Sequence, residues 1–165
     1  MFTTTLRRAL LGALVLTTLS VAQPAQARDI VDVAAGNTNF KTLVAAVKAA
    51  GLVDTLKGRG PYTVFAPTDA AFAKLPKGTL QSLLRPENKR QLASILTYHV
   101  VAGRIAAADV AGKRTSVKSV QGGTLRVDGR HGVKLNTERV VTADVRASNG
   151  IIHAIDRVLL PRTKH

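Results

Sequence analysis

The stretch Thr63–Phe72, with the sequence TVFAPTDAAF, decides the fold of this chain of 165 residues. Its first part is apolar, β-branched and aromatic, which is typical of a buried strand, and Pro67 ends that strand. Thr68 is predicted to cap a helix, because its hydroxyl can accept a hydrogen bond from an amide one turn ahead. Asp69 places a negative charge at the positive end of the helix dipole. The stretch therefore predicts a buried strand joined directly to a helix.

A second informative stretch, Asn149–Pro161, has the sequence NGIIHAIDRVLLP. It begins with turn residues and continues with a segment that is apolar at almost every position. A strand of this composition is covered on both faces, because a half-exposed strand alternates apolar and polar residues. We therefore expect a strand from Ile151 to Leu160 inside a sheet, with helices or a second sheet on either side.

Two longer helices are predicted by apolar residues at the spacing i, i+3, i+4 and i+7. The first ends at Gly51, which can adopt the left-handed conformation of a C-terminal cap. The second runs from Glu87 to His99 and places His99 on its buried face. A short helix between them is predicted to have Thr79 as its N-cap. The apolar positions are Phe40, Leu43, Val44 and Val47 in the first helix and Leu92, Ile95 and Leu96 in the second.

The C-terminal half changes to the two-residue period of strands. Apolar and charged residues alternate there, as in Leu125, Arg126 and Val127. Gly122–Gly123 and Asp128–Gly129 interrupt this pattern and are typical of hairpin turns. Helices followed by antiparallel strands describe an α+β domain.

Three local matches make the chain resemble a fasciclin domain. Residues 63–72 are similar to the first signature of that family, Tyr98 and His99 to its tyrosine–histidine pair, and residues 149–161 to its second signature. The resemblance implies a wedge-shaped β-sandwich flanked by N-terminal helices, and a role in cell adhesion or matrix interaction rather than in catalysis. The residues that carry it are Thr63, Phe65, Pro67, Thr68, Asp69, Phe72, Tyr98, His99, Asn149, Gly150, His153 and Asp156.

The N-terminal segment has the features of a secretory signal peptide. Residues 1–27 contain two arginines, then an uncharged apolar run, and end in a small-x-small triplet at Ala27. That run is too short to span a bilayer comfortably. We therefore expect three parts: a signal peptide at 1–27, a fasciclin domain at 28–161 and a C-terminal tail at 162–165. The expected location is periplasmic or extracellular, with no membrane-spanning segment.

The chain is strongly basic, with 24 Lys and Arg against 10 Asp and Glu. Nucleic-acid binding is disfavoured, because aromatic residues for base stacking make up only 4% of the chain and the cations are spread evenly. An anionic polysaccharide, an anionic component of the cell envelope or another surface protein is the expected partner. A solvated surface without a specific partner is the simplest explanation of the charge taken by itself. The candidate polyanion-binding residues lie near turns and are Arg104, Lys113, Arg114, Lys118, Arg126 and Arg130.

Enzymatic function finds no support in the sequence. The chain has no cysteine and no nucleophile elbow, phosphate loop or zinc-protease motif. We predict no catalytic residue, no cofactor and no metal site. His99 and His153 are interpreted as core histidines that bond to the backbone. A buried pair between Asp69 and His153 is a specific hypothesis.

Two binding functions remain open at this stage. The first is an adhesion or matrix module that contacts acidic polysaccharide, lipopolysaccharide or an envelope protein through its basic surface. The second is a carrier of a small apolar ligand, since some members of the resembled family bind pigments such as carotenoids. Phe65, Phe72 and Tyr98 are the residues expected to line such a pocket, although filling the core is their simpler role.

Overall fold

The computed structural model describes residues 27–161. The predicted signal peptide, apart from Ala27, and the predicted tail lie outside these residues. Short 3₁₀ turns occur at Thr38–Phe40 and Pro86–Asn88. The helices are α1 Ile30–Ala35, α2 Lys41–Ala50, α3 Val53–Lys57, α4 Asp69–Ala73, α5 Thr79–Leu83, α6 Lys89–Tyr98 and α7 Ala107–Val110. The strands are β1 Tyr62–Pro67, β2 Val100–Ala102, β3 Arg114–Lys118, β4 Thr124–Asp128, β5 Lys134–Leu135, β6 Glu138–Ala147 and β7 Gly150–Ile155.

The described strands form one mixed sheet in the order β2-β1-β7-β6-β5-β4-β3. Strands β1 and β7 run parallel, with Phe65 opposite His153, and all other neighbours are antiparallel. The two signature stretches therefore lie side by side within the sheet, although they are far apart in sequence. This confirms the prediction that the last strand is interior.

Both faces of the β1–β7 pair are covered. Val64 and Ile152 pack against the helices, whereas Phe65 and Ile155 pack in a second apolar cluster with residues of β4 and β5. The sheet folds over itself, so that β4 and β5 cover the face of β1 and β7 that the helices leave open. A bridge between Val101 and Ser119 joins the two edges of the folded sheet. The predicted α+β sandwich with flanking helices is confirmed, and one continuous sheet forms both of its layers.

Several local predictions are confirmed by the capping geometry. Gly51 ends α2 with a φ of 70°, a left-handed conformation that glycine adopts without a steric penalty. The Thr68 side chain accepts a hydrogen bond from the amide of Ala71 and caps α4. The predicted N-cap at Thr79 is wrong, because Gly78 occupies that position with a φ of 82° and Thr79 is the first helical residue.

The predicted end of the last strand is also wrong. Strand β7 ends at Ile155, not Leu160. The chain bends at Asp156, whose carboxylate accepts a hydrogen bond from the amide of Arg139 at 3.2 Å. Beyond the bend Leu159 is still buried and belongs to the second apolar cluster. The apolar run therefore identified burial correctly up to Ile155 and again at Leu159, whereas Leu160 is exposed.

Candidate functional site

Asn149 joins three separate segments in the core. Its Oδ1 accepts from the amide of Ile30 at 3.0 Å, and its Nδ2 donates to the carbonyls of Leu56 at 2.7 Å and Gly58 at 2.8 Å. These bonds tie the start of α1 and the end of α3 to the turn before β7. An amide side chain is required, because only it presents one acceptor and two donors from one group. The next residue, Gly150, has to be a glycine, because a Cβ at this position would collide with the carbonyl oxygen of Tyr62.

Thr63 makes a similar internal connection on β1. Its hydroxyl donates to the carbonyl of Gly103 at 2.6 Å and accepts from the amide of Ile105 at 2.9 Å. The side chain is fully buried, so both bonds replace contacts with water. Thr63 therefore holds the loop after β2 against the sheet and is not available to a partner.

The side chain of Asp69 bonds to a neighbouring helix, α2. Its Oδ1 accepts from the amide of Thr42 at 2.8 Å, which satisfies a free donor in the first turn of α2. The hypothesis of an Asp69–His153 pair is wrong. The carboxylate is turned toward α2, and both ring nitrogens of His153 bond to backbone groups of other segments.

His153 connects β7 to two other segments. Its Nδ1 accepts from the amide of Asp144 at 3.2 Å, so the proton lies on Nε2, which donates to the carbonyl of Ile105 at 2.7 Å. Its ring stacks on Phe65, with centroids 5.5 Å apart. The ring thus joins a bulge of β6 to the loop after β2.

His99 closes the C-terminal end of α6. Its Nε2 accepts from the amide of Leu159 at 2.9 Å, which leaves the proton on Nδ1 to donate to the carbonyl of Ile95 at 2.7 Å. Burial lowers the pKa of His99 to about 4, against the smaller opposing effect of the Ile95 bond. The ring is therefore neutral at physiological pH, and it fixes the segment after β7 to α6.

Tyr98 lies in the second apolar cluster and is only 7% exposed. Its hydroxyl is 3.5 Å from the carbonyl oxygen of Thr124, a long and weak contact. The β3–β4 hairpin covers the ring of Tyr98. Neither Tyr98 nor His99 presents its side chain to a partner in this structure.

The remaining signature residues also contact other parts of the protein. Pro67 pairs with Ile155 at the end of β1. Phe72 packs in the apolar cluster between the helices and the β1–β7 pair. Asp156 lies at the bend after β7, where Lys74 donates to its carbonyl at 2.9 Å. The signature residues thus form a structural framework, not a concave site of polar groups.

Neither a group of metal-ligating side chains nor a membrane-spanning helix is found in residues 27–161. No three histidine, aspartate or glutamate side chains in this range lie close enough together to hold a metal ion. No helix within the same range is both long enough and apolar enough to cross a bilayer.

The six predicted polyanion-binding residues are all exposed, but they do not lie together. Arg114, Lys118, Arg126 and Arg130 belong to the β3–β4 hairpin or follow it directly, and Lys113 comes just before β3. Arg104 lies apart, in the loop after β2. These positions distinguish a cationic hairpin from an isolated arginine.

An acidic side chain lies within this cationic hairpin. Asp128 Oδ2 accepts from Arg114 Nε at 2.8 Å and from Arg130 Nη2 at 3.1 Å. The hydrogen bonds from Arg130 and Arg114 hold the pKa of Asp128 far below its usual range, so this carboxylate stays charged. One negative charge is therefore shared by two guanidinium groups.

Two exposed cations on the same layer were missed by the sequence reasoning. Lys134 is directly opposite Asp128 in the β4–β5 pairing, and Arg139 is directly opposite Lys134 in the β5–β6 pairing. The alternation of Lys134 with the buried Leu135 was a usable signal for an outward-facing cation. The strand pairing itself could not be obtained from that alternation.

An apolar cavity of about 80 Å³ lies between the helices and the β1–β7 pair. Its lining includes Val47, Leu56, Ile152 and the buried ring of His99. Of the three aromatic residues predicted to line a pocket, Phe65 does so, whereas Phe72 and Tyr98 do not.

Comparisons with known proteins agree with this architecture. The fasciclin-domain family model matches residues 38–161. Protein sll1483 of Synechocystis sp. is 56% identical over 144 residues, which cover 87% of this chain and 79% of that protein. The immunogenic protein MPT70 of Mycobacterium tuberculosis is 43% identical over 141 residues, 81% of this chain and 70% of that protein.

A longer animal protein and a solved structure share the same domain. The transforming growth factor-beta-induced protein ig-h3 of Sus scrofa is 44% identical over 133 residues, 80% of this chain but only 19% of that protein. A FAS1 domain pair from the insect cell adhesion molecule fasciclin I superimposes with a TM-score of 0.72 at 20% identity, covering 81% of this chain and 51% of the pair. The chain belongs to the fasciclin-domain family.

Proposed function

We propose that the protein is an exported, non-enzymatic binding module that takes part in cell adhesion or matrix interaction. Its partner in this proposal is an anionic polysaccharide or another anionic component of the cell envelope. Export rests on the predicted signal peptide at residues 1–27, with a periplasmic or extracellular destination. Fasciclin I, whose domain pair shares this fold, is a cell adhesion molecule, and this supports the adhesion class.

One observation carries the proposal: the signature residues are used internally, whereas the predicted cations are exposed. Within residues 27–161 no buried side-chain nitrogen or oxygen is left without a hydrogen-bond partner. The buried polar side chains of the described residues are therefore bonded to other parts of the protein. Recognition through the surface charges is the chemistry that this arrangement favours.

Retention on immobilised heparin, a linear sulfated polysaccharide, tests this function. We expect the protein to bind at about 50 mM salt and to elute well before about 1 M, because exposed charges are screened within a few ångströms at high salt. A neutral dextran column is the control and should not retain the protein. Passage through heparin at low salt without retention would reject the polyanion proposal.

The export part has its own test. N-terminal sequencing of the protein recovered from the periplasm or the medium is expected to start at Arg28. An intact Met1 on protein that remains in the cytoplasm would contradict export.

A second candidate function is the carriage of a small apolar ligand, and the apolar cavity favours it. Its volume of about 80 Å³ is smaller than the roughly 150 Å³ cavity that accommodates benzene in another protein. A carotenoid would therefore enter only if α1 and α2 moved away from the sheet. Titration with a carotenoid, followed by its visible absorption band, tests this function, and an unchanged band leaves adhesion as the single proposal.

A further inference from the structure

We propose that the outer face of β3, β4, β5 and the start of β6 is a docking surface for a linear acidic polysaccharide. This inference rests on the proposed function and assigns it to one place on the molecule. We call the surface the hairpin face, and it consists of Arg114, Lys118, Arg126, Asp128, Lys134 and Arg139.

The strand register places the charged side chains of the hairpin face in rows. Arg114, Asp128, Lys134 and Arg139 are successive direct partners across four strands. Direct partners project to the same side of a sheet, and neighbouring strands are about 4.8 Å apart, so this row is about 14 Å long. A second row, about 7 Å along the strands, contains Arg126 opposite Ser116. The cations therefore form a two-dimensional array, not a string along one loop.

The strands that present this array are tightly packed on their inner face. Leu125 and Leu135 have no exposed surface and Val127 is 1% exposed, so the inward side chains of β4 and β5 are locked in the second apolar cluster. Successive side chains of a strand point to opposite faces, which directs Arg126 and Lys134 outward. Charges on a packed sheet are held at defined spacings, whereas charges on a loop must be ordered when a ligand binds.

Asp128 acts as a positioning residue for the arginines. Arg114 reaches its Oδ2 through Nε alone, so among the described residues both terminal Nη groups of Arg114 lack an acceptor. Those groups can bind a sulfate or carboxylate in a bidentate manner. Arg130 is held on the same carboxylate through Nε and Nη2, and the amide of Arg130 also bonds to Asp128. The carboxylate therefore orients two cations and lowers the net charge of the face by only one.

Protection of a sheet edge explains part of the charge but not all of it. Charged residues on an edge strand prevent pairing with another chain, and this role fits Arg114 and Lys118 on the edge strand β3. Arg126 and Lys134 lie on β4 and β5, which have a neighbour on both sides. Edge protection gives no reason for cations at these interior positions. The inference therefore rests mainly on Arg126 and Lys134.

The chemistry of the face favours a polysaccharide over a nucleic acid. Nucleic-acid surfaces combine cations with aromatic side chains on which bases stack. The aromatic residues of the described chain are buried, apart from the half-buried Tyr62 on β1, and none belongs to the hairpin face. A polymer with carboxylate or sulfate groups and no bases needs only the charges and hydroxyls that this face presents.

The first test compares two double variants with the same loss of charge. Arg126→Gln with Lys134→Gln removes two cations from the hairpin face. Lys77→Gln with Arg90→Gln removes two exposed cations from the helical side, the part of the molecule that contains α1 to α6. Heparin affinity is measured for both at several salt concentrations. The hairpin variant is expected to lose at least about tenfold in affinity at low salt and to lower the salt slope by about 2. The control variant is expected to lose less than about threefold.

Equal losses in the two variants would overturn the hairpin site while leaving polyanion binding intact. Failure of the unmodified protein to bind heparin would instead reject the proposed function itself. Duplex DNA is used as a competing polyanion. Displacement of heparin by DNA at equal or lower charge concentration would overturn the choice of a polysaccharide.

The second test addresses Asp128. Asp128→Asn raises the net charge by one and keeps an Oδ1 acceptor for the amide of Arg130, yet it is expected to weaken heparin binding about threefold because it releases both guanidinium groups. Asp128→Glu is expected to restore part of the affinity, and melting temperatures should stay close to that of the unmodified protein. Tighter binding by Asp128→Asn would overturn the positioning role, because it would mean that the carboxylate merely neutralises charge.

Discussion

The helical side of the molecule, residues 28–98, and the hairpin side, residues 113–139, differ in the density of their positive charge. Residues 28–98 carry ten Lys and Arg against five Asp and Glu, a net charge of +5 over 71 residues, whereas residues 113–139 carry seven against two, also +5 but over 27 residues. The helical side contains the internal bonds of Asn149 and Asp69. The hairpin side has apolar residues inside and cations outside. Residues that specify the fold and residues proposed for recognition are therefore different sets.

This difference explains why the family signatures identify the domain without identifying its partner. Thr63, Asn149 and His153 each bond to segments that are distant in sequence. A change at such a position leaves several buried backbone groups unsatisfied, which is costly. A change on the outer face of a strand costs little stability, so the hairpin face can vary with the partner.

The largest effect on stability is expected for Asn149→Ala. The substitution leaves the amide of Ile30 and the carbonyls of Leu56 and Gly58 without their partners. We expect a loss of about 4 kcal/mol in the free energy of unfolding, measured by urea denaturation. Asn39→Ala, at an exposed position, is the control and should change it by less than about 0.5 kcal/mol. A loss below about 1 kcal/mol for Asn149→Ala would mean that the framework does not depend on this residue.

The second effect is a pH dependence from His99. Its pKa of about 4 in the folded protein lies below the ordinary value of 6.5, so the unfolded chain takes up the proton first as the pH falls. The contribution of neutral His99 is therefore complete above pH 6.5 and is lost as the pH falls toward 4. The shift corresponds to about 3 kcal/mol over this range.

Two substitutions separate the contribution of His99 to the free energy of unfolding from other pH-dependent contributions. His99→Gln is expected to show a smaller loss of unfolding free energy between pH 7 and pH 4 than the unmodified protein. His131→Gln, at an exposed position, should keep the full loss. Identical pH profiles for His99→Gln and the unmodified protein would show that His99 does not couple folding to pH.

A smaller effect is expected for Tyr98→Phe, which tests whether the tyrosine acts through its ring or its hydroxyl. The ring is buried between the two sides, while the hydroxyl contact with Thr124 is long. We expect thermal unfolding to report a loss of less than about 0.5 kcal/mol. A loss above about 1.5 kcal/mol would assign a structural role to the hydroxyl.

The smallest effect on stability is expected for the hairpin double variant, Arg126→Gln with Lys134→Gln. Both side chains are exposed, and neither takes part in a side-chain hydrogen bond or ion pair within residues 27–161. Urea denaturation should give a free energy of unfolding within about 0.5 kcal/mol of the unmodified protein. A loss above about 2 kcal/mol would contradict the separation between framework and surface.

The sequence was sufficient for the elements and for most of the core. The period of α2, the cap at Thr68 and the interior position of β7 follow from local rules, because capping and burial leave a direct trace in residue type. The partners of the buried polar groups could not be obtained in this way. Asp69 contacts Thr42 and not His153 because of how α2 packs, which is a tertiary fact.

The candidate site was predicted only in part for the same reason. Arg114, Lys118 and Arg126 were recognised as cations near turns. Lys134 and Arg139 join them only through the register of β4, β5 and β6, and a register depends on the turn geometry between strands. The role of Asp128 was not predicted at all, since a lone acidic residue in a turn has no distinguishing pattern.

The account depends most on the claim that recognition occurs on the hairpin face and not at the family signatures. Titration of the ¹⁵N-labelled protein with a short heparin oligosaccharide, followed by amide NMR shifts, tests this claim directly. We expect the largest shifts at the amides of β3, β4 and β5, with little change at Asn149 and His99. Shifts concentrated at the signature residues, with β3 to β5 unchanged, would contradict it.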